Sequence, residues 1–188
     1  MKAFRGFASR LSRDRDGSAL LEFAISLPLL VVFIVGIYDF SAAFNQKQKL
    51  AQAAQAGAII GAAQPTSDIE TGDGDPQSLH PVVTVIVNSL MAAGVVPQGS
   101  YTISAPAQSG LSWTYSLAFG SDTLSITINR GWAQATGNNT NTNAIGTLVT
   151  VTYPYHWRFN SAIQLLFPGT SFNVPVTISE TAAVHNQI

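Results

Sequence analysis

Two apolar periodicities divide the chain: a helical one up to about residue 63 and a two-residue alternation beyond residue 110. From Phe23 to Tyr38 no charge occurs, and the 21-residue stretch Ser18–Tyr38 holds Glu22 alone. At ~1.5 Å rise per residue this makes roughly 31 Å of helix, about the hydrocarbon thickness of a bilayer. A helix in a soluble core would show a polar stripe, and this stretch is read as lacking one, so it is taken as membrane-inserted. Residues 41–63 continue the helix, with no proline until Pro65, and Leu50, Ala53, Ala54, Gly57 and Ile60 fall on one face. The Gly57-x3-Gly61 spacing permits close backbone approach. It is read as small residues under a packed sheet in preference to helix–helix docking.

Further on, Pro81 opens a short helix that Gly94 closes, with Val82, Val83, Ile86, Val87, Leu90 and Met91 as its apolar face. The period then changes to two. Trp113, Tyr115, Leu117 and Phe119 alternate with small polar residues, and Gly120-Ser121-Asp122 turns the chain into Leu124, Ile126 and Ile128, which predicts a hairpin. Further strands are expected at 147–153 and 173–179, with Tyr101–Ser104 a weaker candidate. Pro175 makes the last strand an edge or gives it a bulge. Gly131–Gly146 reads as a polar loop containing Asn138–Asn143, and a short helix near 160–167 stops at Pro168-Gly169. The fold class is α+β: a long N-terminal transmembrane and stem helix plus a small antiparallel β-sheet domain with one or two short helices.

Charge gives the helix a direction. Charged residues are 10% of the chain, against ~25% in an ordinary soluble protein. Residues 1–17 carry a net +3 and residues 18–188 a net −4. Five Lys/Arg precede the apolar run, and only Lys47 and Lys49 follow it closely, so the N-terminus is expected in the cytoplasm. The expected division is a basic leader over 1–17, a transmembrane helix over 18–40, a helical stem over 41–64 and an extracytoplasmic α+β domain over 65–188. The net charge of −1 gives nucleic acid nothing to hold.

Chemistry for catalysis is sparse. There is no cysteine, hence no disulfide, thiolate nucleophile or thiolate metal site. His80, His156 and His185 are scattered and match no zinc or hydrolase spacing, and no phosphate loop occurs. The Tyr153–Arg158 aromatic cluster reads as packing or binding, with Arg158 on Trp157 as one pairing. Asp68, Glu70, Asp73 and Asp75 could offer calcium several carboxylate oxygens, but glycine at 72 breaks the EF-hand register. That segment reads as a solvated acidic loop. No catalytic residue, metal or cofactor is assigned, and the protein is not expected to be an enzyme.

Glu22 is the anomaly, because a carboxylate in a membrane helix is costly when isolated. The alternative leaves it ionised at the headgroup edge. Pro28 deletes a helix hydrogen bond, which membrane helices tolerate. Two processing readings compete. A secretory signal would be cut after the apolar run, near Ser41-Ala42-Ala43. The other places the cut before it, in Gly17-Ser18-Ala19-Leu20-Leu21-Glu22-Phe23. This pattern resembles the site of type IV prepilin peptidases, with Gly17 last in the leader and Glu22 fifth in the mature chain.

The longer stretch from Gly17 through Pro28, with Gly36-Ile37-Tyr38-Asp39 and the Ala-rich continuation to residue 63, resembles the TadE-like family. Its members are pseudopilins or minor pilins of the tight-adherence (Tad/Flp) pilus. A looser likeness extends to Val149–Pro154 and to the closing Ile178–Val184 stretch. The resemblance implies cleavage between Gly17 and Ser18 by a prepilin peptidase and a single-pass inner-membrane location. The outer domain would be periplasmic or extracellular, in the pilus or beside it. Partners would be other Tad pilus subunits and assembly machinery, with adhesion and surface attachment as the outcome. It also implies that Glu22 meets the N-terminal amine of a neighbouring subunit, a pairing that offsets the cost of both charges. Two other classes remain open: an anchored or secreted binding domain without a pilus role, and a small anchored hydrolase.

Overall fold

The computed structural model describes residues 15–69, 74–135, 143–158 and 176–186, together with Gln164 and Gly169. It divides into two compact units. One comprises the chain to Ala42 with Trp157–Val174, the other Ala43–His156 with Pro175–Ile188.

The first helix, α1 (Arg15–Ala63), is continuous over 49 residues and contains Pro28. Its first half exposes Leu20, Phe23, Ile25, Leu29, Phe33 and Ile37 all round, none of them covered by protein. Its second half buries the expected face: Leu50, Ala53, Ala54 and Gly57 are buried and Ile60 is partly covered. The helix tightens at its end, where Gln64 N–H bonds to Gly61 C=O at 3.2 Å, and Pro65 ends it.

A 3₁₀ turn (Gln77–Leu79) leads into α2 (His80–Ala92), whose six predicted apolar residues are all buried. Gly94, at φ +68°, closes α2 in the left-handed conformation. Gly94 N–H bonds to Met91 C=O and Val95 N–H to Leu90 C=O, a Schellman arrangement. Lys49 Nζ of α1 donates to the Ala93 carbonyl at 2.7 Å, placing a cation at the negative end of the α2 dipole.

Five strands follow in meander order, all antiparallel: β1 (Ala107–Ser109), β2 (Ser112–Phe119), β3 (Asp122–Ala135), β4 (Asn143–Tyr155) and β5 (Val176–His185). Gly110 and Gly120 take positive φ at the first position of their two-residue turns, the type II′ choice that suits strand twist. The alternating residues Trp113, Tyr115, Leu117, Leu124, Ile126, Ile128, Val149 and Val151 form the inner face, packed with α2 and the α1 stem in one core. The register shifts by one residue between Asn129 and Trp132. Arg130 keeps the alternation of Ile126 and Ile128 and is buried on the inner face, while the shift moves Trp132, paired with Gly146, to the outer one.

Several expectations need correction. Tyr101–Ser104 is not a strand. Tyr101 and Ile103 pack partly against the core, but Pro106, which has no N–H, follows them, and pairing starts only at Ala107. The loop expected over Gly131–Gly146 is displaced at both ends, because β3 runs to Ala135 and β4 starts at Asn143, and residues 136–142 lie outside the described residues. β5 reaches His185, well past 179. It is an edge strand as expected, although Pro175 itself lies outside the described residues. The helix expected near 160–167 also falls outside them, Gln164 apart.

Candidate functional site

Gly17, Ser18 and Glu22 all lie in the opening turns of α1. Ser18 Oγ donates to Glu22 Oε1 at 3.4 Å, and Ser26 Oγ donates to the Glu22 carbonyl. Positions 18, 22 and 26 are spaced by four, so they stack along one side of the helix. Glu22 remains the one charge of an otherwise apolar run, as its sequence shows. Leu20, Leu21, Phe23, Ile25 and Leu27 surround this ridge and are exposed. Hydroxyl donation lowers the cost of keeping a carboxylate in such apolar surroundings. The ridge also offers acceptor capacity to a further donor, since a carboxylate accepts at several lone pairs.

The other polar clusters hold the sheet-bearing unit together. Asp68 accepts from Ser78 N–H and Ser78 Oγ, both at 2.8 Å, and so caps the 3₁₀ turn. Burial alone would raise the Asp68 pKa, but these bonds, with the Arg130 charge, bring it below the ordinary value. Asp75 Oδ1 meets His80 Nε2 at 2.9 Å and accepts from Tyr115 hydroxyl at 3.1 Å. Burial, then the Asp75 charge, pushes the Tyr115 hydroxyl well above the usual phenol range. The solvated acidic loop therefore needs revision at Asp68 and Asp75, which work as internal acceptors. Glu70 and Asp73 lie outside the described residues.

Arg130 donates to Gln64 C=O at 2.8 Å and to Thr147 Oγ1 at 3.2 Å, tying β3 and β4 to the end of α1. Burial lowers its pKa while Asp68 raises it. His156 Nε2 lies 2.8 Å from Asp122 Oδ1, and His185 packs beside Trp132 with centroids 6.0 Å apart. The three histidines thus serve three separate contacts. Among the described residues no group of three or more His, Asp or Glu side chains is placed to hold a metal ion. The Trp157 ring, read as a partner for Arg158, packs on Phe40.

One helix among the described residues, within Ser18–Ala63, is long and apolar enough to cross a membrane, and its most apolar window is not buried in the protein. Residues 17–58 match the family model described as TadE-like protein. The match starts at Gly17 and spans the polar ridge, the apolar run and most of the stem. It stops before Val149–Pro154 and Ile178–Val184. No curated protein and no solved structure matches the chain. The TadE-like segment supports a Tad pilus-associated, minor-pilin-like role in general terms. With the apolar helix, it supports membrane association.

Proposed function

We propose that the chain is a pseudopilin or minor pilin of a Tad pilus, cut by a prepilin peptidase between Gly17 and Ser18. Residues 1–17 are then a cytoplasmic leader, 18–40 an inner-membrane helix, 41–64 a stem and 65–188 a domain beyond the membrane. The observation that carries this reading is the Ser18–Glu22–Ser26 ridge in an otherwise apolar exposed helix, at the start of the matched segment. After cleavage the new Ser18 ammonium needs a counter-charge in low dielectric, and Glu22 of an adjoining subunit supplies it. Docking of subunits through these helices follows, with surface attachment as its outcome.

Intact mass of the mature, membrane-extracted chain tests the cut. A start at Ser18 supports the proposal. A start near Phe44 would mean a secretory signal and a free binding domain, and an uncut chain in cells with the peptidase would reject processing. Gly17→Ala should be the mildest leader change, while a bulky or charged residue there should stop cleavage.

A further inference from the structure

The unit that holds α1 up to Ala42 also holds Trp157–Val174. At the described start of that segment, Trp157 meets Phe40 edge to face, with ring centroids 5.4 Å apart and planes at 63°. Phe40 stays 70% exposed and Tyr38 63% despite this contact. Trp157 is half-buried and Arg158 exposed. Counted from Ser18, Tyr38 and Phe40 follow roughly 30–33 Å of helix, which places them at the far boundary of a ~30 Å hydrocarbon core. Tryptophan and tyrosine concentrate at that boundary, where an apolar ring and a polar N–H or O–H are both satisfied. An arginine beside such rings suits lipid phosphate, because its stem lies along the acyl boundary while its head reaches out.

We infer that Trp157 and Arg158 make a second contact with the bilayer that α1 enters: the indole sits at headgroup depth against Phe40, and the guanidinium meets lipid phosphate. The occupant of these exposed rings is phospholipid, because the patch continues the lipid-facing surface of α1. This rests on the membrane reading of α1. It goes beyond that reading in assigning a membrane contact to a residue 117 positions beyond Phe40 in the chain.

The test uses the full chain in vesicles of phosphatidylcholine and phosphatidylglycerol. The chain has three tryptophans, and Trp113→Phe with Trp132→Phe leaves Trp157 as the sole indole emitter. Its emission should be quenched by lipids brominated near the glycerol end of the acyl chain. Lipids brominated near the bilayer centre should quench it less, and it should be shielded from aqueous acrylamide. Full acrylamide access without quenching by either lipid, in protein that floats with the vesicles, would overturn the inference. If the double variant misfolds, Trp157→Phe in the otherwise natural chain should abolish the lipid-quenchable emission; its persistence would overturn the assignment equally. Arg158→Gln should reduce the shallow quenching, and no change would remove Arg158 from the contact. Protein that fails to float would overturn the membrane reading of α1 itself, and this inference with it.

Discussion

Gly57 of α1 lies so close to Ile86 of α2 that an added β-carbon would stand 2.5 Å from Ile86 Cδ1 and 2.7 Å from its Cγ1. The same carbon would be 3.6 Å from Val149 on β4, so the glycine sits where both helices and the sheet converge. Small residues in the stem therefore serve packing against helix and sheet together. Gly57→Ala should lower stability: overpacking costs ~1–3 kcal/mol, against ~1 kcal/mol gained in helix propensity. Ile86→Val removes the nearer clashing carbon, so the double variant should lose less than the sum of the two singles. Melting temperatures of the four chains would show it, and strict additivity would mean that the contact is slack.

The stem's place in the core gives a second prediction. A chain beginning near residue 41 keeps Leu50, Ala53, Ala54 and Ala58, all fully buried. One beginning at residue 66 uncovers the surface under them, which should associate or aggregate. Equal solubility and equal melting temperature for the two would contradict this packing.

Lys49 bridges α1 to the C-terminal end of α2. Lys49→Ala leaves the Ala93 carbonyl without its charged donor and should cost ~1–2 kcal/mol, read as a lower denaturant midpoint. Lys47→Ala, which removes a partly exposed pair with Glu180 at 3.5 Å, should cost less than ~1 kcal/mol.

Acid should loosen the loop that Asp68 caps. Its folded pKa lies below the ordinary 3.8, so the unfolded chain takes up this proton first as pH falls. The stabilisation is complete above the unfolded pKa and is lost as pH drops through the folded one. Asp68→Asn should lower stability by ~1 kcal/mol at neutral pH and flatten the acid limb of a melting-temperature titration. Parallel limbs for the two proteins would exclude Asp68 as a source of acid sensitivity.

Under the proposed function, with its cut between Gly17 and Ser18, Glu22→Gln separates cleavage from assembly. The scissile bond lies about a turn away with Gly17 intact, so cleavage should persist at least in part. Docking should fail, because an ammonium left without its partner costs ~3–5 kcal/mol when buried, over a hundredfold in an assembly equilibrium. Cross-linking to co-expressed pilus components reads the difference. Normal cross-linking and piliation would place the carboxylate among headgroups.

What could be read from the sequence followed the strength of its periodicity. The α2 face and the β2–β3 hairpin were legible because each apolar set repeats without interruption and ends at a glycine that adopts positive φ. The bulge at Arg130 was not. A buried arginine makes sense only once Gln64 C=O and Thr147, 66 and 17 residues away, are seen beside it. Asp68 and Asp75 were likewise read as solvent-facing because their partners, Ser78, His80 and Tyr115, are supplied by the fold. At the N-terminus the Gly17–Glu22 spacing was plain, whereas the hydrogen bonds of Ser18 and Ser26 to Glu22 need the helix geometry to be seen.

The rim formed by β5 has a consequence for growth of the sheet. Among the described residues no strand lies beyond it, and its ten residues include no proline. A bare rim of this kind invites another strand to add on. Glu180, however, lies on the inner side of that rim, held by Lys47 from the stem. An incoming strand would have to set its own inner side chains against this charge and desolvate it. The pair thus gives this edge of the sheet a terminus that disfavours strand addition between chains.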